Sequence, residues 1–255
     1  MSHPPGRLPD SMDAMVSVDS AGIPDFVPAP NQGGNIALYE VENRALDPRG
    51  HVLAAMRERA PWSGRALLDL GCGSGYWLPG YADEAAEVIG VEPDARLLPH
   101  AVGRDSRVRV LRGSAERIPL ADASVDVVHA RFAYFFPPGC DAGLAEVMRV
   151  LRPGGTLVVI DNDLRHGEFA GLLRASVQAA PQGGGDTADR WWAARGADRR
   201  TVHSEWGFKS RDDFEAVLRM EFPAEVADPW LDTHPRTCGL SYSYALFAVD
   251  KPADP

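Results

Sequence analysis

Two carboxylates bracket a glycine turn in this chain. Leu67-Leu68-Asp69-Leu70 is an apolar run carrying one acid, and it leads directly into Gly71-Cys72-Gly73-Ser74-Gly75. Val88-Ile89-Gly90-Val91 is a second apolar run, and it ends in Glu92. Glycines at alternate positions let backbone approach a bulky ligand without Cβ clashes. A carboxylate at the end of a second strand can accept two hydrogen bonds from a ribose diol. Strand, glycine turn, helix, strand, acid is therefore the order in which an α/β sheet grips a nucleoside-like cofactor. Glu92 before Pro93 also has the placing of a helix N-cap carboxylate. Asp69 has two roles open to it: attracting a cationic group of the ligand, or holding the turn by accepting backbone N–H bonds.

The spacing of the glycines narrows the cofactor. A dinucleotide site follows G-x-G-x-x-G, and the last of those positions is Tyr76 here. No Lys-Ser/Thr pair follows to hold phosphates as in a P-loop. A carboxylate at Asp69 would repel a pyrophosphate and welcome a cation.

This combination resembles the first motif of class I S-adenosylmethionine-dependent methyltransferases of the small-molecule type, similar to methyltransferase domain 11. The resemblance continues in order along residues 64–165. Val88-Ile89-Gly90-Val91-Glu92-Pro93-Asp94 is similar to the second motif, whose acid holds both ribose hydroxyls. Gly113-Ser114-Ala115-Glu116-Arg117-Ile118-Pro119-Leu120 is similar to the segment flanking the adenine, with Ser114 where the family often has Asp. Ser124-Val125-Asp126-Val127-Val128-His129-Ala130 is similar to the strand leading to the methyl group, and Leu151-Arg152-Pro153-Gly154-Gly155 to the turn before the fifth strand. The resemblance implies S-adenosylmethionine as cofactor, held by Asp69, Gly71, Gly73, Gly75, Glu92, Pro93, Ala115, Glu116, Ala130 and Arg131. Glu116 also reads as a solvent-exposed acid at a helix start. Asp126 reads as organising the turn into the fourth strand. Arg131 would meet the cofactor carboxylate, an anionic substrate, or a partner in a rim salt bridge.

Methyl transfer is an in-line displacement on a cofactor already activated, so positioning matters most and a base is needed only where the nucleophile must lose a proton. Asp161, His166 and His203 are the candidate bases, because they follow the fifth strand where ligands sit in open α/β sheets. Trp191, Trp192, Trp206 and Phe208 would line an aromatic acceptor pocket or, the preferred reading, pack in the core. The segment Arg131-Phe132-Ala133-Tyr134-Phe135-Phe136-Pro137-Pro138 departs from the family's pattern after the fourth strand. It also lacks the Asn/Asp-Pro-Pro-Tyr motif of methyltransferases acting on DNA bases or glutamine.

The elements that must position these residues alternate short apolar strands with helices from Trp62 to Ile160, which predicts a Rossmann-like, doubly wound, mostly parallel sheet. Seven strands follow from the family resemblance. Residues 1–30 read as a disordered, proline-rich tail and 31–63 as an N-terminal helical cap broken at Pro48. Residues 64–165 are the cofactor-binding core, 166–205 a lid or substrate insert, and 206–255 a C-terminal helix and strands completing the sheet. Within the insert, helices are expected over Phe169–Ala180 and Thr187–Arg195, either side of Gly183-Gly184-Gly185. Asp141 should cap one helix and Ser210 another, and Leu240–Val249 should form a last antiparallel strand.

At 255 residues, 45% hydrophobic and 24% charged, the chain has the composition of a globular protein. A net charge of −10 disfavours nucleic acid, whose binding draws on Lys and Arg. No apolar run is long enough to span a bilayer, the N-terminus lacks a signal-peptide core, and Cys72, Cys140 and Cys238 form no metal-ligand spacing. The expectation is a cytoplasmic monomer or homodimer that methylates an O, N or C nucleophile on a small-molecule acceptor, without metal, membrane or nucleic acid. The alternatives are a protein that binds S-adenosylmethionine for regulation, or a nicotinamide-dependent oxidoreductase on the same sheet.

Overall fold

The computed structural model describes residues 23, 26–29, 32, 34–176 and 184–253. The expected tail over 1–30 lies largely outside the described residues. Seven strands form one sheet: β1 (Ala66–Leu70), β2 (Glu87–Glu92), β3 (Arg109–Arg112), β4 (Val125–Arg131), β5 (Leu151–Asn162), β6 (Asp198–Gly207) and β7 (Gly239–Asp250). Their order is β3-β2-β1-β4-β5-β7-β6. The first five are parallel, and β7 runs antiparallel to both β5 and β6. β1 is buried at every residue because helices cover both faces of the sheet, which is why it reads as an unbroken apolar run. Strand order reverses between β1 and β4, and a crevice opens beyond the carboxyl ends of strands at such a point.

One face carries α1 (Ile36–Ala45), α2 (His51–Arg59), α3 (Leu78–Ala82) and α4 (Leu98–Val102) together with α8 (Arg211–Glu221) and α9 (Ala224–Thr233). Its core gathers Met56, Trp62, Tyr81, Trp206, Phe214 and Tyr244. The other face is covered by α5 (Asp141–Val150) and, from the insert, α7 (Gly184–Ala193), with Val147, Val150, Trp192 and Phe247 in its core. Helix α6 (Gly167–Ala175) packs on β7.

Caps explain several boundaries. Asn35 accepts from the Leu38 N–H at 3.1 Å and starts α1. Ser210 accepts from the Asp213 N–H at 3.1 Å and starts α8, as its sequence predicts. Asp141 does not cap α5; it is the first helical residue, Cys140 stands at the cap, and the Asp141 carboxylate pairs with Arg195. Asp47 bridges α1 and α2. It accepts from the N–H groups of His51 at 2.9 Å and Val52 at 2.8 Å, and from the Ser204 hydroxyl at 2.5 Å.

The insert is shorter than its sequence suggests. α6 ends at Ala175, the segment 177–183 lies outside the described residues, and α7 covers 184–193 in place of Thr187–Arg195. Residues 198–205, expected within the insert, belong to edge strand β6. That strand is hard to recognise because Asp198 and Arg200 on one face and His203 and Glu205 on the other interrupt any apolar alternation, and charge is what an edge strand commonly carries.

Candidate functional site

Two cavities of about 300 Å³ each open at the crevice between β1 and β4, and they share Tyr39, Gly71, Arg131, Phe132 and Phe136. The first is walled by Gly71, Gly73, Val91, Glu92, Pro93, Asp94, Leu97, Ser114 and Ala115. These lie in the glycine turn, at the end of β2 and the loop from it to α4, or just beyond β3.

Glu92 is 4% exposed. Its two oxygens accept from the Gly73 N–H at 2.7 Å and the Asp94 N–H at 2.8 Å. Burial pushes its pKa up to about 7 against the pull of those two N–H groups. The carboxylate thus ties the glycine turn to the end of β2, and it caps no helix, since α4 begins only at Leu98. Gly71 has φ 73°, and a Cβ there would lie 2.4 Å from that of Ala133, so β1 and the loop after β4 meet at this residue. Gly75 packs against α4 rather than lining a cavity.

Asp69 is buried and accepts from Arg131 at 3.1 Å through Oδ2, while Oδ1 has no hydrogen-bond partner. Burial raises its pKa and Arg131 opposes the rise. It does not hold the turn: the N–H groups of Gly71 and Cys72 donate to the Val91 carbonyl at 2.8 and 3.1 Å. Nor is Arg131 a rim residue. Its guanidinium lies 4.5 Å over the Trp77 ring, its Nε is buried without a partner, and it walls both cavities. Ala130 is buried in β4 just before it. Glu116 lines neither cavity; its carboxylate accepts from the Tyr134 hydroxyl at 2.9 Å. Asp126 accepts from the Ala66 N–H at 2.9 Å and from Arg152 at 2.8 Å, organising the entry to β4.

The second cavity is built from α1, α2, β5, α6, α8 and β7, with Tyr39, Glu42, Asn43, Met56, Ile160, Asn162, Phe169, Glu221, Tyr242 and Tyr244 among its walls. Phe132 enters it from a left-handed backbone, φ 50°, and its ring lies 5.9 Å from that of Tyr244. A helical cap was expected over 31–63, but the part α1 plays in walling this cavity was not. Its signal is a polar set at helical spacing, Tyr39, Glu42 and Asn43, on a face that packing alone would make apolar.

None of the three candidate bases is among the walls of either cavity. Alternation along β5 turns Ile160 and Asn162 into the second cavity and Asp161 to the other face. Burial pushes Asp161 up to about 6, opposed by the Asn162 N–H it accepts from at 2.7 Å. His166 is bound through Nδ1 to Asp163 at 2.5 Å, and His203 through Nδ1 to the Ser243 hydroxyl at 2.9 Å. Trp192 and Trp206 are core residues, stacked on Phe247 and edge-on to Phe169. Among the described residues no cluster of three or more metal-ligating side chains occurs, and no helix is long and apolar enough to cross a membrane.

Residues 68–159 match the family model described as a methyltransferase domain. An uncharacterized methyltransferase of Mycobacteroides abscessus is 37% identical over 139 residues, which are 52% of this chain and 51% of that protein. Another, from Mycobacterium sp. strain KMS, is 32% identical over 167 residues, 64% of this chain and 59% of the relative. The chain thus spans about half the length of the curated relatives it matches. Among solved structures, a Bacillus halodurans protein is similar with a TM-score of 0.58 at 18% identity, covering 79% of this chain and 99% of its own. The cyclase SpnF is similar with a TM-score of 0.54 at 20% identity, covering 92% and 100%. At these identities the two structures speak for the fold alone.

Proposed function

We propose that the protein, whose residues 68–159 match the family model of a methyltransferase domain, transfers the methyl group of S-adenosylmethionine to an O, N or C nucleophile of a small-molecule acceptor. The observation that carries this reading is the pair of abutting cavities, one walled by the strand-end carboxylate of Glu92 and the other enclosed by aromatic rings. When bound, the cofactor supplies a methyl group already activated on a sulfonium.

The residues of the first cavity suit that group. Glu92 would accept from both ribose hydroxyls, and Val91, Leu97 and Ala115 would form an apolar wall for the adenine. Arg131, which walls this cavity and has an unpartnered Nε, would take the carboxylate of the amino-acid end; Asp69 is among the walls of neither cavity and would hold that guanidinium in place. Phe132 and Phe136, shared by both cavities, would keep water from the junction and hold the acceptor in line, and proximity then supplies most of the rate.

The test is a calorimetric titration of S-adenosylmethionine into the wild type and into Glu92→Ala. Removing a buried charged acceptor costs about 1.5–3 kcal/mol, so affinity should fall roughly 10- to 100-fold. No heat from the wild type at millimolar cofactor would overturn the reading.

A further inference from the structure

Only one hydroxyl stands among the described walls common to both cavities, that of Tyr39 on α1. A Cβ built on Gly73 would lie 2.6 Å from this hydroxyl oxygen and 3.4 Å from the ring carbons Cε1 and Cζ. The phenol thus occupies the space that a side chain at position 73 would need, and the middle glycine of the turn makes room for it. Its placing is fixed by its neighbours. Glu40, the next residue of α1, accepts from the Ser74 hydroxyl and from Arg104, and Arg104 Nε donates to the Ser74 carbonyl at 3.0 Å. Ser74 is fully buried, so α1 is fastened to the glycine turn beside the Tyr39 ring. A hydrogen bond from the Asn43 side chain, one turn along α1, holds the phenol itself. Burial and then the Glu42 charge keep it above its ordinary pKa range; Glu92 adds to the rise and Arg131 opposes it. Tyr39 is therefore a neutral hydroxyl, and it walls one cavity with Glu92 and Arg131, the residues assigned to the ribose and to the carboxylate. In S-adenosylmethionine the methylated sulfur is the atom that joins the ribose to the amino-acid chain. A hydroxyl oxygen presents partial negative charge to such a cation, and C–H groups beside a positive sulfur donate weakly to it.

We propose that Tyr39 distinguishes the charged methyl donor from its neutral product, its hydroxyl oxygen facing the methyl-bearing sulfur at the junction of the two cavities. The proposal rests on the methyl-transfer reading. Phe132 and Phe136 make the rest of the junction apolar, so the phenol oxygen acts there without competition from water. It has no such attraction for the neutral thioether of the product, which favours product release.

The experiment is a calorimetric titration of two donor analogues into the full chain, wild type and Tyr39→Phe. S-adenosylhomocysteine has a neutral sulfur; sinefungin carries an ammonium where the donor carries its methyl group. Phenylalanine keeps the ring and removes only the oxygen. Sinefungin should lose roughly 10-fold in affinity, the difference a charge-assisted hydrogen bond makes, while S-adenosylhomocysteine changes by less than about 2-fold and reports that the variant is folded. Nuclear magnetic resonance on the wild type gives a second readout. With S-adenosylmethionine labelled with carbon-13 in its methyl group, the bound methyl protons should show a nuclear Overhauser contact to the ring protons of Tyr39. Equal losses for the two analogues, or no loss for either, would make Tyr39 a packing residue of the turn and overturn the proposal. A bound methyl group without contact to that ring would overturn it too. Failure of S-adenosylhomocysteine to bind the wild type would bring down the methyl-transfer reading and this proposal with it, whereas binding with an unchanged ratio of the two analogues sinks the role of Tyr39 alone.

Discussion

One carboxylate, Glu92, ties the glycine turn to the end of β2 and under the proposed function also receives the ribose, and its protonation would separate the two roles. In the folded protein its pKa is raised from 4.5 to about 7, chiefly by burial. Below 4.5 the folded and unfolded forms both carry the proton. Between 4.5 and about 7 only the folded form keeps it, so this residue's contribution to stability falls as pH rises through that window and is level above it. Cofactor binding should run the other way, because ribose hydroxyls donate and the ionised carboxylate is the better acceptor. At pH 6, one unit below that pKa, only about a tenth of the molecules are ionised, so S-adenosylhomocysteine should bind roughly 10-fold more weakly than at pH 8. Glu92→Gln should flatten the profile in calorimetry; an unchanged profile would move the titrating group elsewhere. That Glu92, Gly71 and Gly73 would meet in one cavity was readable from sequence because a glycine turn between two strands of a parallel sheet brings the strand ends together at fixed chain spacing. Asp161 lies outside both cavities because a strand turns successive side chains to opposite faces, and His166, before α6, and His203, on the edge strand, show that proximity in sequence does not say where a residue points.

At the level of elements, the glycine turn is the joint between β1 and the loop after β4. An alanine at Gly71 would have to adopt φ 73° and place its Cβ 2.4 Å from that of Ala133, so the turn or the loop carrying Phe132 must shift. Gly64 offers a control: its φ is 69°, yet nothing lies within 4 Å of a built Cβ. Gly64→Ala should lose only the left-handed backbone term, about 1–2 kcal/mol. Gly71→Ala should add the clash, destabilise by more, and abolish cofactor binding; equal losses in chemical denaturation would show that the joint is soft. The parallel strands were legible as apolar runs, and Ser210 and Asn35 do start helices, though only the former was foreseen. β6 escaped because charges on both of its faces interrupt any apolar alternation. The second cavity escaped because Glu42, Asn162, Glu221 and Tyr244 come from four elements that meet only in the fold.

Across the whole molecule, the first helices are tied to the last strands. Leu46 bridges to Trp206, Arg49 pairs with Glu205 at 3.1 Å, and Arg59 pairs with Asp250 at 2.7 Å. The two exposed pairs are worth little each. The apolar interior counts for more: Met56, Trp206, Phe214 and Tyr244 belong to one continuous core beneath the N-terminal cap. The cap therefore should not unfold separately from the sheet, and denaturation should follow a single transition by both tryptophan fluorescence and circular dichroism. Ligand linkage sharpens this expectation, because Tyr39 of the cap and Arg131 of the sheet wall the same cavity. S-adenosylhomocysteine at 100 times its Kd should raise the unfolding free energy of that single transition by about 2.7 kcal/mol without changing the denaturant slope. If the cap were an independent lid, an early transition would move alone or a ligand-insensitive one would remain. Either pattern would contradict a core shared between the two ends of the chain.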